Sequence, residues 1–182
     1  MIKIKSIEVY KFDLPLKEGR YNWSHQSSVS VFDSTIVKIN TNKDIFGFGE
    51  VCTLGPAYLP AYPEGVRAGI KKIGNSLLGM DPTNLSEINI QMDRNLKGHN
   101  YVKSSIDMAC WDILGKYTKQ PLWKMLGGKF GNEVKLYRAI SQESSKEMSK
   151  KVKKYKKEGY SKFQLKVGGN PEEDIERIKL VR

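Results

Sequence analysis

The sequence predicts an α+β unit followed by the opening of a β/α alternation. Three observations carry this. Residues 2–51 form apolar/polar alternations broken by turn residues, the signature of half-buried strands. Residues 66–116 place their apolar side chains at helical spacing instead. Beyond Gly127-Gly128 the order becomes strand, helix, strand, helix, which is the grammar of a parallel sheet or barrel.

Ile2 to Leu14 reads as the first strand. Ile2, Ile4, Ile7, Val9 and Phe12 keep a period near two, with one slip that suggests a bulge. Pro15 to Ser28 reads as a polar loop, but Tyr21, Trp23 and His25 are larger than a solvent loop needs. Val29 to Thr41 is the second strand, Asn42-Lys43-Asp44 the turn, and Ile45 to Val51 the third strand, with Gly47 and Gly49 inside it. These make an antiparallel meander. The stretch Cys52 to Gly65 has no regular period, and a loop this long within a domain is usually functional or disordered. Its aromatic residues, Tyr58 among them, argue for order.

Two amphipathic helices follow, Val66 to Leu78 and Leu85 to Leu96, the second after an Asp81-Pro82 turn. The most informative run is Gly98 to Gly128. Tyr101, Val102, Ile106, Ala109, Cys110, Ile113 and Leu114 fall on helical spacing, and Asn100 is placed to cap the helix. Gly115 falls near the end, Pro121 opens a further short turn, and Gly127-Gly128 stops it. Asp107 and Asp112 sit among apolar neighbours on either side of Trp111. Buried carboxylates need hydrogen-bond or cation partners, so this helix is expected to dock against something large that carries such partners.

In the remainder, Glu133 to Ile140 is a strand and Ser144 to Glu158 a basic helix ended by Gly159. Ser161 to Val167 is a second strand, and Pro171 starts a helix running to Arg182. Alternation puts Lys162, Gln164 and Lys166 on one face of the second strand and Phe163, Leu165 and Val167 on the other.

Composition bounds the reading. The chain has 182 residues, 39% hydrophobic and 28% charged, which suits a globular protein rather than a disordered one. No apolar run is long enough to span a membrane, and MIKIKSIEVYKF lacks the continuous apolar core of a signal peptide. Cys52 and Cys110 form no CxxC, consistent with reduced thiols in a cytoplasmic protein. The net charge of +11 raises nucleic acid as a partner. The excess gathers in Lys146, Lys150, Lys151, Lys153, Lys154, Lys156 and Lys157, with no zinc-finger, RNP or helix-turn-helix pattern. A solvated helix face is therefore expected, with neither nucleic acid nor membrane as a partner.

The run S-I-D-M-A-C-W-D-I-L-G-K followed by Q-P-L-W-K-M-L-G-G resembles the mandelate racemase/muconate lactonizing enzyme branch of the enolase superfamily. That resemblance implies an N-terminal capping domain over residues 1–128 and, over residues 129–182, the first units of a TIM (β/α) barrel, truncated after two. A barrel takes eight such units, so the chain is expected to be the N-terminal portion of a longer enzyme and inactive alone. An inactive remnant or a binding module is the alternative of a different class.

The resemblance also implies roles. The family's second barrel strand carries a Lys-x-Lys motif whose second lysine is an acid/base, and Lys166 matches it. Gln164 replaces the first lysine and brings no charge to the site. Trp23, His25 and Tyr58 fall in loops that fold over the barrel mouth, and with Gln164 they are the expected substrate-binding residues. Magnesium is the expected cofactor of the full-length enzyme, with its ligands on later strands and none in this chain. The runs DSTIVKINT, GPAYLPAYPEGVRAG and GHNYVKSSIDMACWDILG resemble, more narrowly, cis-3-hydroxy-L-proline dehydratases. Part of the pattern is shared with hydroxyproline-betaine epimerases, where a tyrosine matching Tyr58 packs on a cationic nitrogen. The implied reaction starts by removing the proton α to a carboxylate. Dehydration or epimerisation of a proline derivative follows, and a homo-oligomer is expected for the full-length enzyme.

Overall fold

The chain begins with five strands: β1 (Ile4–Pro15), β2 (Tyr21–Trp23), β3 (Ser27–Val29), β4 (Val31–Thr41) and β5 (Phe46–Cys52). The structure is a computed structural model and describes residues 1–24 and 26–182. It divides into two compact units. One comprises Met1–Leu14 with Phe32–Phe130, the other Pro15–Val31 with Gly131–Arg182.

In the first unit the sheet order is β1-β4-β5. β4 and β5 run antiparallel from Ser34↔Cys52 to Asn40↔Phe46, across a turn in which Asp44 takes a left-handed φ of 53°. Side-chain contacts between β1 and β4 run in opposite senses along the two strands: Asn40 donates to Ser6, and Asp33 pairs with Lys11. The antiparallel meander expected from the alternation is present.

Three helices cover this sheet: α1 (Pro63–Ile73), α2 (Leu85–Asn95) and α3 (Asn100–Thr118). α1 starts earlier than the apolar spacing suggests, because Pro63 fits the first helical turn. It gives way at Gly74 to a short 3₁₀ turn, Gly74–Leu77, rather than continuing as one helix. Ile4, Val37, Ile39, Ile70, Ile88, Met92, Ile106 and Ile113 meet in the core.

α3 departs from expectation at its start. Asn100 is its first helical residue, and the preceding position is His99, left-handed at φ 50° with no side-chain cap. Gly98 is left-handed as well, at φ 64°. The chain turns sharply into the helix through these two residues, and the His99 carbonyl accepts from the Val102 N–H at 2.8 Å. The helix also passes Gly115 and ends at Thr118, where left-handed Lys119 lets the Gln120 N–H reach the Gly115 carbonyl at 3.0 Å. A short α4 (Leu122–Met125) follows.

The carboxylates of α3 have partners inside this unit. Asp107 accepts from the Asn89 amide on α2 at 2.8 Å. Asp112 accepts from the Phe48 N–H of β5 at 2.9 Å and from Lys116 at 2.7 Å. Asp107 is thus satisfied by an amide, and Asp112 by a strand N–H together with a cation.

The second unit holds a hairpin where a plain polar loop was expected. β2 and β3 pair antiparallel, with Tyr21↔Val29, Asn22↔Ser28 and Trp23↔Ser27. β6 (Arg138–Ile140) is parallel to β7 (Phe163–Leu165). The expected strand from Glu133 is thus much shorter, and Val134, Leu136 and Tyr137 are exposed. α5 (Ser145–Lys157) is capped by the Ser144 hydroxyl, which accepts from the Glu147 N–H at 3.3 Å. α6 (Pro171–Val181) is capped by Asn170. Ile140, Met148, Val152 and Tyr155 form a second core, flanked by Phe163 and Leu165. Lys146, Lys150, Lys153, Lys154, Lys156 and Lys157 are exposed on the outer face of α5, and Lys151 is half-buried. No helix of the described residues is long and apolar enough to cross a membrane.

Candidate active site

The site is built on β7. Phe163 and Leu165 turn toward the second core, while Gln164 is exposed and stands in register with Ala139 of β6. Lys166 follows directly. Its N–H still donates to the Ile140 carbonyl at 3.0 Å, so its backbone is held by the ladder although β7 ends one residue earlier. Its ammonium lies 5.8 Å from the centroid of the Tyr21 ring, and Tyr21 and Trp23 lie 6.1 Å apart, centroid to centroid. Among the described residues Lys166 has no carboxylate partner.

Trp23 is half-buried in β2. With Arg20, Gln142, Gly168, Gly169 and Arg177 it lines a cleft of about 510 Å³. The structure therefore brings Lys166 and Trp23 into one unit, together with Gln164. Tyr58 belongs to the other unit. There its N–H donates to the Gly55 carbonyl at 3.1 Å, and the residue is about half exposed. The same loop is anchored further on by buried Ala61 and by Tyr62, whose ring lies 6.4 Å from that of Tyr101. His25 lies outside the described residues.

A cluster that the sequence did not reveal lies beneath the hairpin. Glu18 accepts from both Arg138 and the Tyr155 hydroxyl. Burial would raise the Glu18 pKa, but these two donors outweigh it and hold the carboxyl below its usual range. Burial together with Glu18 pushes the Tyr155 hydroxyl up. The Arg138 guanidinium stacks on the Tyr155 ring at 4.5 Å, and its Nε is buried without a partner among the described residues. No local motif announces this cluster, because Glu18 is more than a hundred residues from both donors.

Two acids of this unit are held by one arginine. Asp174 and Glu173 are engaged by Arg177 at 2.7 and 2.9 Å. Among the described residues no three His, Cys, Asp or Glu side chains gather as metal ligands.

Residues 12–127 match the profile of the mandelate racemase/muconate lactonizing enzyme N-terminal domain. The chain is 54% identical over 181 residues to a cis-3-hydroxy-L-proline dehydratase of Roseibium aggregatum, covering all of this chain and 49% of that protein. It is 31% identical over 181 residues to an N-succinyl-L-Arg/Lys racemase of Bacillus cereus, covering all of this chain and 48% of that one. A member of the enolase superfamily from Roseovarius nubinhibens, solved in complex with magnesium, superposes with a TM-score of 0.88 at 40% identity, over 100% of this chain and 49% of that structure. The chain spans about half the length of the curated relatives it matches.

Proposed function

The chain belongs to the mandelate racemase/muconate lactonizing enzyme family of the enolase superfamily, and from that premise we propose that it is the N-terminal part of a cis-3-hydroxy-L-proline dehydratase. The observation that carries this reading is the 54% identity to such a dehydratase, which extends over the whole chain. Residues 1–128 would form the capping domain and residues 129–182 the first two units of a (β/α) barrel.

Lys166 is the acid/base in this reading. Its Nζ takes the proton from the carbon that bears the carboxylate. The electron pair left on that carbon becomes a double bond to its neighbour as the C–O bond of the 3-hydroxyl breaks, and the oxygen leaves as water after gaining a proton. Trp23, Gln164, Tyr58 and His25 would bind the substrate. The reading is supported by the place of Lys166 at the C-terminal end of β7, where barrel enzymes carry their chemistry. Magnesium would be bound by residues on later barrel strands.

A racemase or epimerase is the second reading, favoured by the identity to the N-succinyl-L-Arg/Lys racemase. Both begin with the same proton abstraction. The test is the full-length enzyme incubated with cis-3-hydroxy-L-proline in D₂O. Loss of water supports the dehydratase, and a deuterium-labelled epimer supports the second reading. Lys166→Ala should lower turnover by about 10²–10⁴. An Ala variant with undiminished turnover removes Lys166 from the mechanism.

A further inference from the structure

Gln142 stands two residues beyond the end of β6 and is bonded in two directions. Its backbone N–H donates to the Asn22 carbonyl of β2 at 3.1 Å, while the Asn22 N–H donates to the neighbouring Ser141 hydroxyl at 3.3 Å. The middle residue of the strand that holds Tyr21 and Trp23 is thus fixed, through its own backbone, to the tip of β6. The Gln142 side-chain amide donates to the Gly168 carbonyl, two residues past Lys166.

The circuit closes on itself. The Gly168 N–H donates to Asp174 at 2.8 Å, Arg177 donates to Asp174 at 2.7 Å, and Arg177 Nε returns to the Glu143 carbonyl at 2.8 Å. The Arg177 side chain is only 12% exposed, so the ring is mostly shielded from competing water. Ser24 presses on the same turn: a Cβ on Gly168, which has φ +130°, would fall 2.9 Å from the Ser24 Cβ. The segment before Lys166 is held by the ladder to Ile140, and the segment after it is held by Gln142.

We infer that Gln142 is a positioning residue. Its amide ties the turn after Lys166 to the β2 strand beside it and so sets the place of the Lys166 ammonium relative to the Tyr21–Trp23 face. The inference rests on the assignment of Lys166 as acid/base. Gln142 need not touch the reacting atoms. It acts by keeping Lys166 within proton-transfer geometry, where a displacement of about 1 Å can cost about a hundredfold in rate.

The test uses the full-length enzyme with Gln142→Glu and Gln142→Leu, two changes of similar size that remove the donor. Both should lower kcat about 10- to 100-fold with KM unchanged, and should raise the deuterium isotope effect for substrate labelled at the α-carbon, since proton transfer alone is slowed. A rise in KM with kcat preserved would make Gln142 a substrate contact and overturn the inference. A fall in melting temperature with wild-type kcat, or failure of both variants to fold, would make it structural and overturn it too. Lys166→Ala serves as the control. If that variant is dead while the Gln142 variants match wild type, this inference alone fails; if Lys166→Ala is active, the assignment beneath it fails as well.

Discussion

Gly49 of β5 lies so close to the Ser105 carbonyl of α3 that a methyl group on its Cα would fall 1.8 Å from that oxygen. Gly47 stands in the same relation to the Ala109 carbonyl, at 2.1 Å. The two glycines are one strand period apart and their partners one helical turn apart, so the strand and the helix mesh along a shared line. The contact involves backbone on both sides, and a flexible side chain cannot move to relieve it.

Gly49→Ala should therefore destabilise the protein by at least the 1–3 kcal/mol typical of overpacking. Gly74→Ala is the control. Gly74 has φ −56°, and its added Cβ would meet only Ile7 at 3.9 Å. Removing that glycine should leave stability unchanged or raise it by about 0.4–1 kcal/mol. Urea midpoints at fixed pH compare the two; equal midpoints would show that β5 and α3 can separate freely.

Acid should weaken the first unit through Asp33. Arg67 donates to both of its oxygens, at 2.7 and 2.9 Å, and this holds the Asp33 carboxyl below its ordinary value of 3.8 against the opposing effect of burial. Because the folded form binds the proton more weakly than the unfolded form, the pair contributes its full stability above pH 3.8 and loses it as pH falls through the folded value. Arg67→Met should be less stable than wild type at pH 7, and the gap should narrow below about pH 4. Urea titrations at pH 7, 5 and 3 measure it. A gap that stays constant would show that Arg67 acts by packing alone.

The two thiols should separate by reactivity. Cys110 is buried in the core, and burial, aided by Asp107, pushes its thiol up to about 12. Cys52 is exposed, although burial of its sulfur and the nearby Glu50 also raise it. The thiolate is the reactive form. A disulfide reagent at pH 8 should therefore modify Cys52 slowly, and Cys110 only after denaturant is added. Two thiols reacting at equal rates under native conditions would show that the α3 core opens readily.

Where apolar residues repeat over several turns, the sequence was legible. Ile106, Ala109, Cys110 and Ile113 announced α3, and β4 was announced by its alternation, because burial of one face writes a period into the chain. The start of α3 was not legible: a left-handed histidine is a property of the turn rather than of its composition. The pairing of β2 with β3 was missed because the strands have three residues each and the sequence between them contains neither glycine nor proline. Glu133 and its neighbours read as strand by alternation, but only Arg138–Ile140 has a partner in β7. At the candidate site, alternation put Gln164 on the exposed face of β7, while the strand ends at Leu165, one residue short of Lys166. Gln142 and Glu18 gave no sign, because their partners lie far along the chain and polar contacts of that kind leave no period.

Tyr58 provides the test of substrate class. The loop from Cys52 to Gly65 has no acidic residue until Glu64. A positive ring nitrogen held by this loop would meet an aromatic face rather than a carboxylate. Pro56 and Pro60 bracket Tyr58 and limit the loop's freedom, the Gly55 carbonyl accepts from its N–H, and the residue is 47% exposed. A cation over such a ring gains about 0.5–2 kcal/mol, which corresponds to a change in affinity of about 2- to 30-fold. In the full-length enzyme, Tyr58→Leu should raise KM for a proline derivative by about that factor and narrow its preference over neutral hydroxy acids. Tyr58→Phe keeps the ring and should preserve both. A panel of proline derivatives, betaines, mandelate and sugar acids assayed on the three proteins decides the matter. Activity on a sugar acid with none on any proline derivative would sink the proposal, and so would a Leu variant with unchanged selectivity.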